Sequence, residues 1–297
     1  MTDKPLISFD FAIKYLLKNK GDYDIIEGFI SALFAAQGYP PVKINALLDS
    51  ESAMESRELK KSIAELVVED IEGNKYIVEI DRAYTPNFVH KACFNTSRLV
   101  VDSISGNQDY TNIKKVFHIS LLYFNVKILE SAICHAKTIM HQIDTAHPID
   151  VRIANQGLVM FNSPNILPEY FFISVPKFNN IIHQEIDEWL YVMKNSDVKK
   201  DFKSPYMAKV ASRLAVLKMN DQERNEYFHY LKEAVHSQDT LNAAKTEGIA
   251  EGKLEGEINK SMEIALEMLS DGQSIDKIIK YTKLTEEQIK NLKISKN

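Results

Sequence analysis

Apolar and polar residues alternate most regularly over residues 62–82, SIAELVVEDIEGNKYIVEIDR, and this stretch predicts two strands joined by a tight turn. A three-residue loop, Ile71-Glu72-Gly73, with Gly73 in the left-handed conformation, makes a hairpin with a glycine bulge. That loop pairs Asp70 with Asn74 and so sets Glu65 opposite Glu79. Strand periodicity then adds Asp81 to the same face, and Leu66, Val68, Tyr76, Val78 and Ile80 share the other. A two-residue loop would turn Glu65 away from Glu79, so the carboxylate cluster depends on the turn.

Other periods fill in the surroundings. Residues 6–34 predict two helices, the first through Phe11 and Tyr15, the second through Ile25, Ile26, Phe29, Ile30 and Leu33. Gly38, Pro40 and Pro41 close this lead-in. Phe88, Ala92, Leu99 and Ser103 mark a helix, and VFHISLLYF (116–124) a buried strand, which together read as a right-handed crossover onto one sheet. Strands are expected within HPIDVRIANQGLVMF and EYFFISVPKF, with helix from Ile181 onward around Ile186, Trp189, Leu190 and Met193. Near the end, Gly248, Gly252 and Gly256 recur every fourth residue, each costing about 1 kcal/mol against alanine in a helix. Close approach of another helix, or a poorly ordered connector, are the two readings of that stripe. Two short helices follow, with Ser274 and Thr285 as N-caps and Thr285 to Gln288 fitting a capping box. Their helix-turn-helix look is undercut by Glu286 and Glu287, which carry the wrong charge for phosphates. Packing or oligomerisation suits them better. Because two short helices cannot bury their apolar residues alone, they are expected to pack on the same chain's helical region or on a second subunit, with a homodimer through the C-terminal helices favoured.

Bulk properties narrow the class. The chain has 297 residues and a net charge of −5, so any DNA contact must come from a local patch. Asp3, Asp10 and Lys14 interrupt the apolar residues at the start, and no apolar run reaches membrane-spanning length, so a cytoplasmic location away from any membrane is expected. Cys93 and Cys134 read as reduced thiols. His135, His141 and His147, six apart, would scatter around a helix and make poor metal ligands. Lys60-Lys61 and Lys114-Lys115 could flank a cleft or simply be solvated, and Lys91 could be a displaced catalytic lysine, a phosphate contact or a surface residue.

Taken in order, these pieces resemble the recombination-promoting nucleases, the PD-(D/E)XK nuclease family transposases. Asp10-Phe11-Ala12-Ile13-Lys14 is similar to the family's opening D-x-x-F-K, and Glu79-Ile80-Asp81 behind the Gly73 hairpin to its E-x-Q. Phe88 to Phe94 is similar to its F-x-x-R helix with Lys91 at the Arg place, and EYFFISVPKF and the Glu-Gly repeat to later segments. The resemblance implies an α/β fold, with a restriction-endonuclease-like mixed sheet flanked by helices over residues 1–180. A helical region over 181–238 and a repeat helix with a two-helix tail over 239–297 would follow.

It also implies a bacterial, metal-dependent DNA endonuclease tied to recombination or mobile elements. Mg²⁺ or Mn²⁺ would be held by Glu65, Glu79, the backbone carbonyl of Ile80 and Asp81, with Asp10 contributing from the first helix. Two departures stand out: Glu65 replaces the family's Asp, and Asp81 replaces a Gln or Lys. At roughly 4 Å and an effective dielectric near 20, a carboxylate at that second place repels a phosphate by about 4 kcal/mol unless a divalent ion intervenes. Two readings follow, an active endonuclease or a catalytically impaired relative that binds DNA or protein. A solvated acidic sheet face is the plain alternative for the carboxylates, and deleting one of them should relieve repulsion.

Overall fold

The computed structural model describes residues 8–13, 23–48, 66–104, 109–146, 148–149, 166–215 and 219–294. Glu65, Lys60, Lys61 and His147 lie outside the described residues. A six-stranded mixed sheet dominates. Its strands are β1 (Ile44–Leu48), β2 (Leu66–Asp70), β3 (Lys75–Asp81), β4 (Val116–Leu122), β5 (Ile133–Lys137) and β8 (Glu169–Ser174), in the order β1-β2-β3-β4-β8-β5. Two-residue strands β6 (Met140–His141) and β7 (Pro148–Ile149) pair separately. β1, β2 and β3 form an antiparallel meander, β3, β4 and β8 run parallel, and β5 returns antiparallel on β8.

The hairpin register follows the turn. Asp70 N–H donates to the Asn74 carbonyl, Gly73 N–H donates to the Asp70 carbonyl, and Gly73 takes φ +84°. Leu66 therefore pairs with Val78, and Val68 with Tyr76, as the alternation predicts. Asp70 locks the turn through its carboxylate, which accepts from the backbone N–H of Glu72 and Asn74, the Asn74 amide and the Tyr76 hydroxyl.

Both faces of the sheet are covered, and every residue of β4 is buried. On one face Val68, Tyr76, Val78, Ile119 and Phe171 pack with helix α1 (Phe9–Phe11), α2 (Asp24–Ala35), α4 (Glu185–Asn195) and α5 (Met207–Arg213). The packing continues well past residue 180: Trp189 stacks edgewise on Phe9 and near Phe29. Gly28 lets Tyr206 approach so closely that a Cβ there would stand 2.5 Å from its ring. On the other face α3 (Phe88–Asp102) crosses from β3 to β4, its Ala92, Leu99 and Val100 meeting Ile77, Val116 and Leu122.

Helix α6 (Asp221–Ser270) runs through 50 residues, and the chain forms two compact units, residues 1–231 and 232–297. In the second unit, α7 (Ile275–Thr282) and α8 (Glu286–Ile294) bury Ile278, Leu284 and Ile289 against Ala265 of α6. The apolar residues of the tail are thus covered by the same chain's long helix. The Thr285–Gln288 capping box forms, with each partner bonding the other's backbone N–H. Among the described residues, and apart from the helix's own backbone, no atom lies within 4 Å of a Cβ added at Gly248, Gly252 or Gly256, so no described helix packs closely on the stripe.

Candidate active site

Strand periodicity places Ile77, Glu79 and Asp81 on the α3 face of β3. Glu79 is 2% exposed and Asp81 also buried, so the carboxylates do not form a solvated face. What receives them is polar. From the first turns of α3, Lys91 places its Nζ 2.7 Å from Glu79 Oε1 and 2.7 Å from Asp81 Oδ1. One turn on, the Asn95 amide donates to both Glu79 oxygens, at 3.2 and 3.0 Å. Lys91 is a member of the site, and the surface reading is corrected.

Behind Glu79, from β4, comes His118. It is fully buried, its Nδ1 lies 3.3 Å from Thr96 Oγ1, and its Nε2 lies 3.4 Å from Glu79 Oε2 without a well-aligned hydrogen bond. Burial raises the Glu79 carboxyl, but His118 and Lys91 outweigh it and hold the group below its ordinary value. Burial likewise lowers the Lys91 ammonium, but Asp81 and Glu79 overcome this and push it up. The cluster thus sets two carboxylates around one lysine nitrogen.

Lys75 N–H and the Asp81 carbonyl both bond toward β4, so by strand alternation the Ile80 carbonyl is directed away from β4. Asp10 is placed elsewhere. It sits between the core residues Phe9 and Phe11, on the face opposite α3, and accepts from Arg82 Nε and the Tyr230 hydroxyl. Burial would raise its carboxyl, but these donors leave it lowered. Among the described residues, Asp10 Oδ1 and the neighbouring Tyr123 hydroxyl are buried without a hydrogen-bond partner. The structure does not bring Asp10 onto Glu79 and Asp81, because α1 packs on the other side of the sheet.

A second buried polar cluster occupies the opposite end of the parallel strands. Glu169, the first residue of β8, accepts from Lys115, His135 and Tyr39, with separations of 2.8, 2.8 and 2.9 Å. Lys115 is thus a core ion-pair partner and does not flank a cleft, while Lys114 donates to the Glu72 carbonyl. His135 and His141 sit on strands rather than a helix. Among the described residues, no three His, Cys, Asp or Glu side chains gather as a metal-binding set, and no helix is long and apolar enough to cross a membrane.

The architecture agrees with a comparison of the chain with family models. The model for the PD-(D/E)XK nuclease family transposase matches residues 7–244. The chain belongs to that family. Membership supports a nuclease- or transposase-like function, and PD-(D/E)XK nucleases generally use divalent metals. The match ends before Gly248, so the glycine stripe and the two-helix tail lie beyond it. No curated protein and no solved structure matches the chain.

Two members of the site were not singled out by sequence reasoning. His118 is hidden in a strand that otherwise reads as core filler, and its signal is the one imidazole in VFHISLL beside the strand carrying Glu79. Asn95 could have been found as the residue four beyond Lys91 on the same helix face.

Proposed function

We propose that this family member is a Mg²⁺- or Mn²⁺-dependent DNA endonuclease, serving recombination or mobile-element functions inside a bacterial cell. The observation that carries the reading is the convergence of Glu79, Asp81 and Lys91, with one cationic nitrogen 2.7 Å from both carboxylates. That nitrogen marks a cation position between two anionic side chains, so the donor set fits a divalent ion. Glu79 and Asp81 would hold the ion, with the Ile80 carbonyl and Glu65 as further ligands. Bound there, it would supply water activation and neutralise charge developing on the phosphate.

The protein's own residues do the rest. Asn95 fixes the orientation of Glu79 through both oxygens. Lys91 supplies the hydrogen-bond donor that the family places at the position of Asp81, reaching the same spot from α3. An acceptor at that position is then no obstacle, because a cation, the ammonium or the divalent ion, would offset its charge. Lys91, partly exposed at the rim of the site, would begin the local patch that meets the DNA backbone. A homodimer through the C-terminal helices would pair two such sites across a duplex, and light scattering on the full-length protein tests it by mass.

The test of the function is incubation of purified protein with supercoiled plasmid in Mg²⁺, Mn²⁺ or chelator, beside Glu79→Gln. Cleavage that needs metal and disappears in the variant is the expected result. Equal cleavage by Glu79→Gln would remove the site from the mechanism. One observation favours a second reading, a DNA- or protein-binding module without catalysis: Glu79 is buried and both its oxygens already have donors. DNA binding without cleavage in any metal is the outcome that selects it.

A further inference from the structure

We infer that Lys91 is the resident occupant of the cation position, so that loading a divalent ion on Glu79 and Asp81 requires its ammonium to swing out to the rim of the site. The inference rests on the reading of those two carboxylates as cation holders.

Three observations carry it. The Lys91 nitrogen is shared between Glu79 Oε1 and Asp81 Oδ1, 2.7 Å from each, and these are the oxygens a divalent ion would need. An ammonium and a divalent cation cannot both occupy that point, since each would meet the other's charge within a few ångström in a poorly solvated place. The position of Lys91 is not what its helix favours. It lies at the beginning of α3, where the helix N-terminus disfavours positive charge, so the carboxylates hold it there.

Its surroundings differ in freedom. Glu79 is 2% exposed and gripped by Asn95, whereas the Lys91 side chain is 38% exposed on a flexible four-carbon stem. Of the three groups, Lys91 is the one that can leave without moving backbone. The displacement also has a direction. The exposed side of Lys91 faces outward, where an arriving phosphate would lie, so the event that loads the cation also delivers a donor for the substrate.

The experiment uses full-length protein and Mn²⁺ alone. Free Mn²⁺ is read by electron paramagnetic resonance during titration of the parent, Lys91→Met, Lys91→Arg and Glu79→Gln. The expected result is binding to the parent, loss of binding in Glu79→Gln, and measurably tighter binding in Lys91→Met, because no ammonium then competes for the position. Lys91→Arg, which restores a cation, should return to parent affinity or weaker. If Glu79→Gln abolishes binding but Lys91→Met binds no more tightly than the parent, the inference is overturned while the metal reading stands. If neither the parent nor Lys91→Met binds Mn²⁺, both fall together.

A second measurement needs no variant. Acetylation of lysines on the parent, quantified by mass spectrometry with and without saturating Mn²⁺, should show the Lys91 peptide modified severalfold faster with metal, while an exposed lysine such as Lys290 shows no such rise. Unchanged Lys91 labelling under demonstrated Mn²⁺ binding would also overturn it.

Discussion

Replacing Asp70 by alanine tests the device that sets the register of the site strand. In the folded protein this carboxylate accepts two backbone N–H groups and the Asn74 amide at 2.9 Å each, and the Tyr76 hydroxyl at 2.7 Å. The turn donors are near solvent and can recover water, so each loss costs about 0.5–1 kcal/mol. Tyr76 is 2% exposed, and its hydroxyl would be stranded in the core at a cost of about 1–3 kcal/mol. The total is about 3 kcal/mol, a large part of the roughly 5–15 kcal/mol that holds a typical domain together. For a unit of 231 residues this lowers the melting temperature by about 6–12 °C. Urea unfolding of the parent, Asp70→Ala, Tyr76→Phe and the double variant measures it. Tyr76→Phe alone should cost about 1 kcal/mol, but once Asp70 is gone it should recover about 1–3 kcal/mol by removing the stranded hydroxyl. If Asp70→Ala costs less than about 1 kcal/mol, or if the two substitutions add, the carboxylate does not hold the turn.

Glu79→Ala should destabilise the metal-free protein by about 1–3 kcal/mol, because it removes the acceptor of the Asn95 amide and leaves Lys91 with Asp81 alone of its two carboxylates. This reverses the expectation from sequence that deleting a carboxylate relieves repulsion, and chemical denaturation in chelator decides between them. Stability should be retained above pH 4.5, the ordinary value for both Glu79 and Glu169, and be lost as pH falls through their lowered folded-state values; thermal melts from pH 7 to 3 read this. A flat melting temperature over that window would contradict the ionised clusters. Gly28→Ala should cost about 1–3 kcal/mol through its collision with Tyr206, whereas Gly252→Ala, facing open space, should gain up to about 1 kcal/mol in its helix; calorimetry on each variant separates the two signs.

The hairpin was legible because its turn is chemically determined: Gly73 and the flanking Asp70 and Asn74 leave one loop length, and the register follows. The buried strand over 116–122 and the helix from Phe88 were legible by composition and period. β1 was missed because a five-residue edge strand with one well-buried residue carries little pattern. β5 escaped because its residues are all partly covered or exposed, so no alternation marks it. The two glutamates of the cluster could be aligned only as far as Glu79, since Glu65 lies outside the described residues. Sequence could not show that the carboxylate face is roofed. The sign was present in Val67 and Ile77, apolar residues interleaved with Glu79 and Asp81, which require a covering helix on that side. Asp10 misled because an acidic residue in a first helix fits a metal site by resemblance, while its placement depends on which face α1 packs against.

The parallel pairing of β3 with β4 gives the site a place in time as well as in space. The β2–β3 hairpin closes a loop of a few residues and can form early, with Glu79 still hydrated. β4 joins β3 across the segment from Arg82 to Lys115, which carries α3 and is a far longer loop to close. Lys91, Asn95 and His118 all arrive with that crossover or the strand it delivers. Glu79 therefore loses its water and gains its partners in one docking step, and a folding intermediate with the hairpin alone would have the register of the active strand without the site.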